Sequence, residues 1–137
     1  MSRRLLQEMF STMVIRKDAS LIPHYYHPDF VLETNGGKQR YAAFLQGHET
    51  VYATDISYAV RYDEETWVEQ ADRIAVRVWI TTQKPGDDAV EIEVMLIARY
   101  VDGKIHRLWE LTWPDWTALR ALEAYSQPPI TVAGSHK

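Results

Sequence analysis

Glu110 stands in the run Leu108-Trp109-Glu110-Leu111-Thr112, one acid among apolar and aromatic residues. A carboxyl group turned toward an apolar hollow loses hydration and keeps its proton to higher pH, as a general acid or base requires. Turned outward, the same residue pairs with an arginine. Other residues with chemical potential are weaker. His24 and His27 are three apart on an expected helix, a spacing that permits two metal ligands, but no third ligand is nearby and they read as helix-end surface histidines. His48-Glu49 begins like the zinc motif His-Glu-x-x-His, yet Tyr52 occupies its closing position, so the motif fails. Without cysteine, disulfides, thiolate catalysis and cysteine-ligated zinc are removed. No metal site and no cofactor are expected. Tyr25 and Tyr26 can be ordinary core residues or can point a phenol into a hollow, and Tyr26 is a candidate ligand contact.

The elements that must position these residues divide into helices first and strands after. Apolar residues at 5, 6, 9, 10, 13 and 14 mark one helix of Leu5 to Val14 behind Ser2 as N-cap. Asp18 caps a second, shorter helix containing Leu21, Ile22, Tyr25 and Tyr26, which Pro28 ends. Phe30 to Thr34 is a short strand stopped by Asn35-Gly36-Gly37, and Tyr41 to Tyr52 is a third helix with Gly47 as its weak point. Beyond residue 55 the period becomes two, over Ile56 to Tyr62, Trp67 to Glu69, Arg73 to Gln83, Val90 to Val101 and Lys104 to Trp113. Pro114 stops the last strand, Asp115 caps a final helix with Trp116, Leu119 and Leu122, and residues 126–137 form a tail. This order predicts one α+β domain over residues 1–125, its helices packed on the concave face of a long, strongly curved sheet. Such a sheet, closed by helices, leaves a cone-shaped hollow.

The 137 residues, 46% hydrophobic and 25% charged, are ordinary for one globular domain. A net charge of −4 supplies no positive field for nucleic acid. No apolar run approaches the ~20 residues of a membrane helix. Gln7 and Glu8 interrupt the apolar stretch after Arg3-Arg4, unlike a signal peptide. A cytoplasmic protein is expected, with no nucleic-acid and no membrane partner.

Three short pieces, in order, carry a resemblance: Tyr26-His27-Pro28-Asp29-Phe30 before the first strand, Asp72-Arg73-Ile74-Ala75-Val76 opening a long strand, and Asp102-Gly103-Lys104-Ile105 leading into Trp109-Glu110-Leu111-Thr112-Trp113-Pro114. With the element order over residues 3 to 122, they resemble the nuclear transport factor 2-like superfamily, which includes SnoaL-like polyketide cyclases, limonene epoxide hydrolase and ketosteroid isomerase. The resemblance implies a cystatin-like fold, a cone with a mixed or antiparallel sheet. Thr34 stands at the position similar to the isomerase base, and Leu96 falls near its protonated aspartate. Arg73 matches the arginine of the epoxide hydrolases, Ala75 stands in place of their first aspartate, and Glu110 matches their second acid. SnoaL-like cyclases pair a histidine with an aspartate, and His106 shares the strand of Glu110.

Which faces turn inward decides the rest. If Asp102-Gly103 is a two-residue loop, Glu110 lies opposite Met95 on a mixed outer surface. If the loop is Val101-Asp102-Gly103 with a glycine bulge, Glu110 lies opposite Val94 and joins the apolar face of Ile92, Leu96 and Ala98, with Leu108. The strand 73–83 carries the same ambiguity. The resemblance turns Arg73, Ala75, Arg77 and Trp79 inward, whereas hydrophobicity turns Ile74, Val76 and Val78 inward. Glu91, Glu93, Arg77 and Arg99 read as cross-strand ion pairs. The expected site is therefore Glu110 as catalytic acid or base, with Tyr26, Thr34, Trp79, Leu96 and Leu108 around a small apolar or cyclic ligand. With Glu110 inward, Trp109 and Trp113 look outward and predict a homodimer through the outer sheet face. The competing functions are a small-molecule enzyme of isomerase, cyclase or hydrolase type, a non-catalytic ligand-binding or dimerisation module, and a protein-partner adaptor.

Overall fold

The computed structural model describes residues 2–116. The expected last helix beyond Trp116 and the tail 126–137 lie outside the described residues. The first helix, α1 (Ser2–Met9), continues into a π-helical turn over Phe10–Val14. In that turn Ile15 N–H donates to the Phe10 carbonyl at 2.9 Å. A 3₁₀ turn at Ala19–Leu21 leads into α2 (Ile22–Tyr25), and Asp18 caps it by accepting from Ser20 N–H at 3.1 Å. The strand β1 (Tyr26–Thr34) follows directly. Tyr26 is thus a strand residue, correcting the helix expected there. Pro28 forces the residue before it out of helical geometry, and Tyr26 is already extended, with φ −120° and ψ 135°.

Next come β2 (Gly37–Arg40), α3 (Tyr41–Tyr52), β3 (Ser57–Tyr62), β4 (Val68–Glu69), β5 (Arg73–Gln83), β6 (Val90–Val101) and β7 (Lys104–Trp113). The sheet order is β2-β1-β7-β6-β5-β3, with β4 on β5 off that path. All pairings are antiparallel except β1 with β7, which is parallel. The sheet is mixed and curved, and it does not close on itself.

One sheet face carries the core. Ile74, Val76 and Val78 of β5 are buried, as are Ile92, Val94, Leu96 and Ala98 of β6 and Ile105 and Leu108 of β7. Leu6, Met9, Phe10 and Met13 from the N-terminal helix and Phe44, Val51 and Tyr52 from α3 pack into the same cluster. The hydrophobic pattern therefore decides the face of β5. Arg73, Ala75, Arg77 and Trp79 point away from the core, against the inward placement implied by the resemblance.

The β6–β7 turn takes the shorter of the two expected loops, yet Glu110 does not take the position expected with it. Val101 pairs with Lys104, so the loop is the two residues Asp102-Gly103. Both have positive φ, 55° and 76°, as a type I′ turn requires. The register then shifts between Arg99 and Tyr100: Tyr100 faces Ile105, but Arg99 faces Arg107. His106 is the extra residue, a β-bulge that changes the parity of the strand. Glu110 consequently lies opposite Leu96, on the core face and opposite neither Met95 nor Val94.

Candidate active site

Glu110 is held from both sides. On β1, Thr34 is its parallel neighbour and donates from Oγ1 to Glu110 Oε1 at 3.1 Å. On β6, Leu96 is its antiparallel neighbour. The hairpin that joins β1 to β2 fastens this level of the sheet. Asn35, in left-handed geometry at φ 49°, donates its backbone N–H to the Glu110 carbonyl at 3.1 Å. Its side chain accepts from Thr112 N–H at 2.9 Å and donates to Thr112 Oγ1 at 2.8 Å. Asparagine tolerates positive φ and offers both a donor and an acceptor, so one residue turns the chain and extends the ladder to β7.

The carboxyl of Glu110 opens onto a cavity of about 130 Å³. An apolar cavity of ~150 Å³ accepts benzene, so this space suits a group of one ring's size. Phe10 and Val14, both on the π-helical turn, form one wall, and Phe44, His48 and Tyr52 of α3 form another. Leu32, Tyr58, Ile80, Ile92, Val94 and Leu108 line the sheet side. Among the described residues Glu110 is the only carboxylate in the lining, and neither lysine nor arginine accompanies it. Deep among apolar groups, its ionised form is poorly solvated, and burial pushes its pKa up from 4.5 to about 7, only partly offset by the Thr34 hydrogen bond.

His48, which the sequence offers only within an incomplete zinc motif, also lines the cavity. The available signal was helical spacing: Phe44, His48 and Tyr52 fall at i, i+4 and i+8 and share one face of α3. The imidazole stacks against Phe44, with ring centroids 4.0 Å apart, and meets Tyr52 edge-on at 5.3 Å. Its Nδ1 lies 2.8 Å from the Phe44 carbonyl. A carbonyl only accepts, so Nδ1 carries the proton and Nε2 is the basic nitrogen. Burial lowers its pKa from 6.5 to about 4, against the smaller opposing effect of that hydrogen bond. Near neutral pH the cavity therefore holds a neutral imidazole and a carboxyl close to half-ionisation.

The other expected site residues separate. Leu108 lines the cavity, and Thr34 reaches it through Glu110. Leu96 is buried beside Glu110 but is not in the cavity lining. Tyr26 is buried among Phe30 and Phe44, with its hydroxyl directed at Met9 Sδ at 3.6 Å. It supports α3 from below and does not line the cavity. Trp79 lies on the outer face between the guanidinium groups of Arg61 and Arg77, 3.9 Å and 4.7 Å from its ring. That stacking and the inward turn of Val78 take it away from the ligand position. Arg73 pairs with Asp72 at 3.2 Å, and Ala75 shares its outward face, so neither contributes to the cavity. His106 sits outside, between Arg99 and Arg107. Of the expected ion pairs, Arg77–Glu93 forms at 3.0 Å, whereas Glu91 pairs with Arg61. His24 packs on Tyr25 and His27 on His106.

The sequence from residue 6 to residue 108 matches the family model of the SnoaL-like domain. The chain belongs to this family. Solved structures similar to this SnoaL-like protein include IdmH from Streptomyces antibioticus, a candidate polyketide cyclase, at 15% identity and TM-score 0.62, covering 81% of this chain and 91% of that one. An LEH-like epoxide hydrolase from M. tuberculosis is similar at 14% identity and TM-score 0.67, over 80% of each chain. An NTF2-like protein from Cytophaga hutchinsonii is similar at 13% identity and TM-score 0.61, over 83% of this chain and 91% of that one. At such identities the likeness establishes the fold. No match was found among curated proteins. Among the described residues no helix is long and apolar enough to cross a membrane.

Proposed function

We propose that this SnoaL-like protein binds a small apolar or cyclic molecule in the cone and acts on it by general acid–base chemistry at Glu110. The observation that carries the reading is the carboxyl itself, the only one among the described residues of a cavity lined mainly by apolar and aromatic side chains, with Gln39, His48, Thr82 and Thr112 as its other polar groups. A group with a pKa near 7 can donate and accept protons at working pH. The similar folds named a polyketide cyclase and an epoxide hydrolase support a reaction of cyclase, isomerase or hydrolase type. The outward placement of Arg73 and Ala75 speaks against a copy of the two-acid epoxide hydrolase arrangement. Screening small cyclic compounds by thermal shift finds ligands, because a molecule bound only by the folded state raises Tm. For any compound that is also turned over, Glu110→Gln should lower kcat about 100-fold or more while keeping the thermal shift. Unchanged turnover removes Glu110 from the chemistry and favours the second reading, a ligand-binding module without catalysis. That reading draws on the absence of a second carboxylate from the lining among the described residues.

We further propose a homodimer through the outer sheet face. Leu111 and Trp113 are 66% and 76% exposed there, alongside Met95 at 50% and Ile97 at 44%. A contiguous apolar face of this kind usually marks an interface. Sedimentation should show a dimer that Leu111→Asp converts to monomer; a wild-type monomer at high concentration defeats the proposal.

A further inference from the structure

We propose that the outer face of the sheet carries a second binding site, at the bulge between β6 and β7, for a phosphate-type oxyanion held by Arg99, Arg107, His106 and His27. The site lies across the sheet from the cavity and is independent of the acid–base reading of Glu110.

The bulge assembles it. Ile105 and Leu108 both turn into the core, and the extra residue leaves His106 and Arg107 together on the outer face. Across the ladder Arg107 lies opposite Arg99, and Arg99 lies opposite Arg73. Like charges directly opposite one another destabilise a sheet. Of the three, Arg73 alone has a carboxylate beside it among the described residues, Asp72 at 3.2 Å. From β1, His27 sets its ring edge-on to His106, with centroids 4.9 Å apart. The Trp109 ring lies 5.7 Å from the Arg99 guanidinium and steadies it.

The hydrogen bonding shows what the cluster lacks. A guanidinium only donates, so His106 Nδ1 accepts from Arg99 Nη2 at 3.3 Å, and the neutral ring carries its proton on Nε2. That N–H faces Arg107 Nη1 at 3.4 Å, another donor. Nη1 already directs its hydrogens to the carbonyls of Asp29 and His106, each at 2.8 Å. In His27, Nδ1 accepts from Asp29 N–H at 3.0 Å, which leaves Nε2 as the N–H of the neutral ring. Two imidazole N–H groups and two guanidinium groups therefore gather on half-buried side chains with no carboxylate bonded to them among the described residues.

An oxyanion supplies the missing acceptors. Phosphate suits the cluster better than a carboxylate, because it has enough oxygens to accept from several elements at once, and guanidinium forks match it bidentately. The net charge of −4 gives the protein no general attraction for a polyanion, so the occupant is free phosphate or a small phosphate monoester. Burial, followed by Arg107, His27 and Arg99, holds the His106 pKa below 6.5, and Asp29 is the acid that opposes them. A bound dianion reverses that balance. Trp113, the most exposed side chain of the proposed dimer patch, stands further along β7 by roughly 20 Å of strand, which sets the anion site apart from that end of the patch.

The test follows the histidine ring signals of the full chain by proton–nitrogen NMR during titration with sodium phosphate, with sodium chloride at matched ionic strength as the reference. Phosphate should shift His27 and His106 saturably, raise the His106 midpoint by about one unit and leave His24 in place. Arg99→Gln and Arg107→Gln should each weaken phosphate binding about tenfold or more. Tighter binding of glycerol phosphate than of phosphate identifies a small ester as the occupant, and equal binding identifies free phosphate; either supports the site. Equal shifts in chloride mean screening alone and overturn the proposal. Acetate bound as tightly as phosphate overturns the choice of a phosphate-type anion. The wild-type titration decides the matter should a variant fail to fold.

Discussion

Glu110 and Thr34 illustrate how one hydrogen bond tunes a buried acid. Burial raises the Glu110 pKa, and the Thr34 hydroxyl, by donating to Oε1 at 3.1 Å, pulls it part of the way back. The hydroxyl stabilises the ionised form. Thr34→Val keeps the shape and removes the donor, so the Glu110 titration midpoint should move above 7, measured by carbon-13 NMR of the carboxyl. A midpoint that stays in place would mean that water takes over the bond. On this account Thr34 modulates the acid on the neighbouring strand.

At the scale of elements, β7 and its bulge decide which residues meet the cavity. A regular two-residue hairpin would place Glu110 opposite Met95, on the outer face. The extra residue His106 moves Leu108, Glu110 and Thr112 to the inner side, with Ile105 inward before the bulge. Deleting His106 should restore a regular ladder while keeping Arg107 opposite Arg99, so the Glu110 midpoint should remain near 7. Deleting Trp109 instead changes the parity after Leu108. It should turn Glu110 outward and return its midpoint toward the ordinary carboxylate range near 4.5. Finding the same midpoint in both deletions would contradict this account of the strand. The neighbouring π-helical turn works in a similar way on the helical side, since it carries both Phe10 and Val14 into the cavity wall.

Across the whole molecule, two oppositely shifted groups in one cavity shape the dependence of stability on pH. Glu110 has a folded pKa raised from 4.5 to about 7. Its contribution is fully present below 4.5 and is lost as pH rises to 7. His48 has a folded pKa lowered from 6.5 to about 4. Its contribution is present above 6.5 and is lost as pH falls to 4. Each shift corresponds to about 3 kcal/mol, and between 4.5 and 6.5 the slopes cancel. The wild type should therefore show little dependence on pH from this site over that window. In urea unfolding, Glu110→Gln should expose a stability that rises with pH from 4 to 6.5. His48→Asn should expose one that falls from 4.5 to 7. Parallel profiles for the two variants would refute the opposed shifts.

The α+β order, the family, and the bounds of α3, β5, β6 and β7 were legible in the chain alone, because helical and strand periodicities are local and these runs are long. The inner face shared by Leu108 and Glu110, one of the two arrangements the sequence left open, is the one that lines the cavity. The remainder came from packing. Alternation defines two faces of a strand but not which one is buried, and a single bulged residue reverses the answer for everything after it. The Asp102-Gly103 turn has the two residues of the shorter expected loop, but a parity change at His106 undoes the outward placement of Glu110 expected with it. The same limit applies to Trp79, placed outside by the burial of its neighbours, and to Tyr26, taken into β1 by pairing with β7. His48 was legible only as a position on the face of α3. That this face closes over Glu110 depends on contacts between residues far apart in the chain, which no local pattern records.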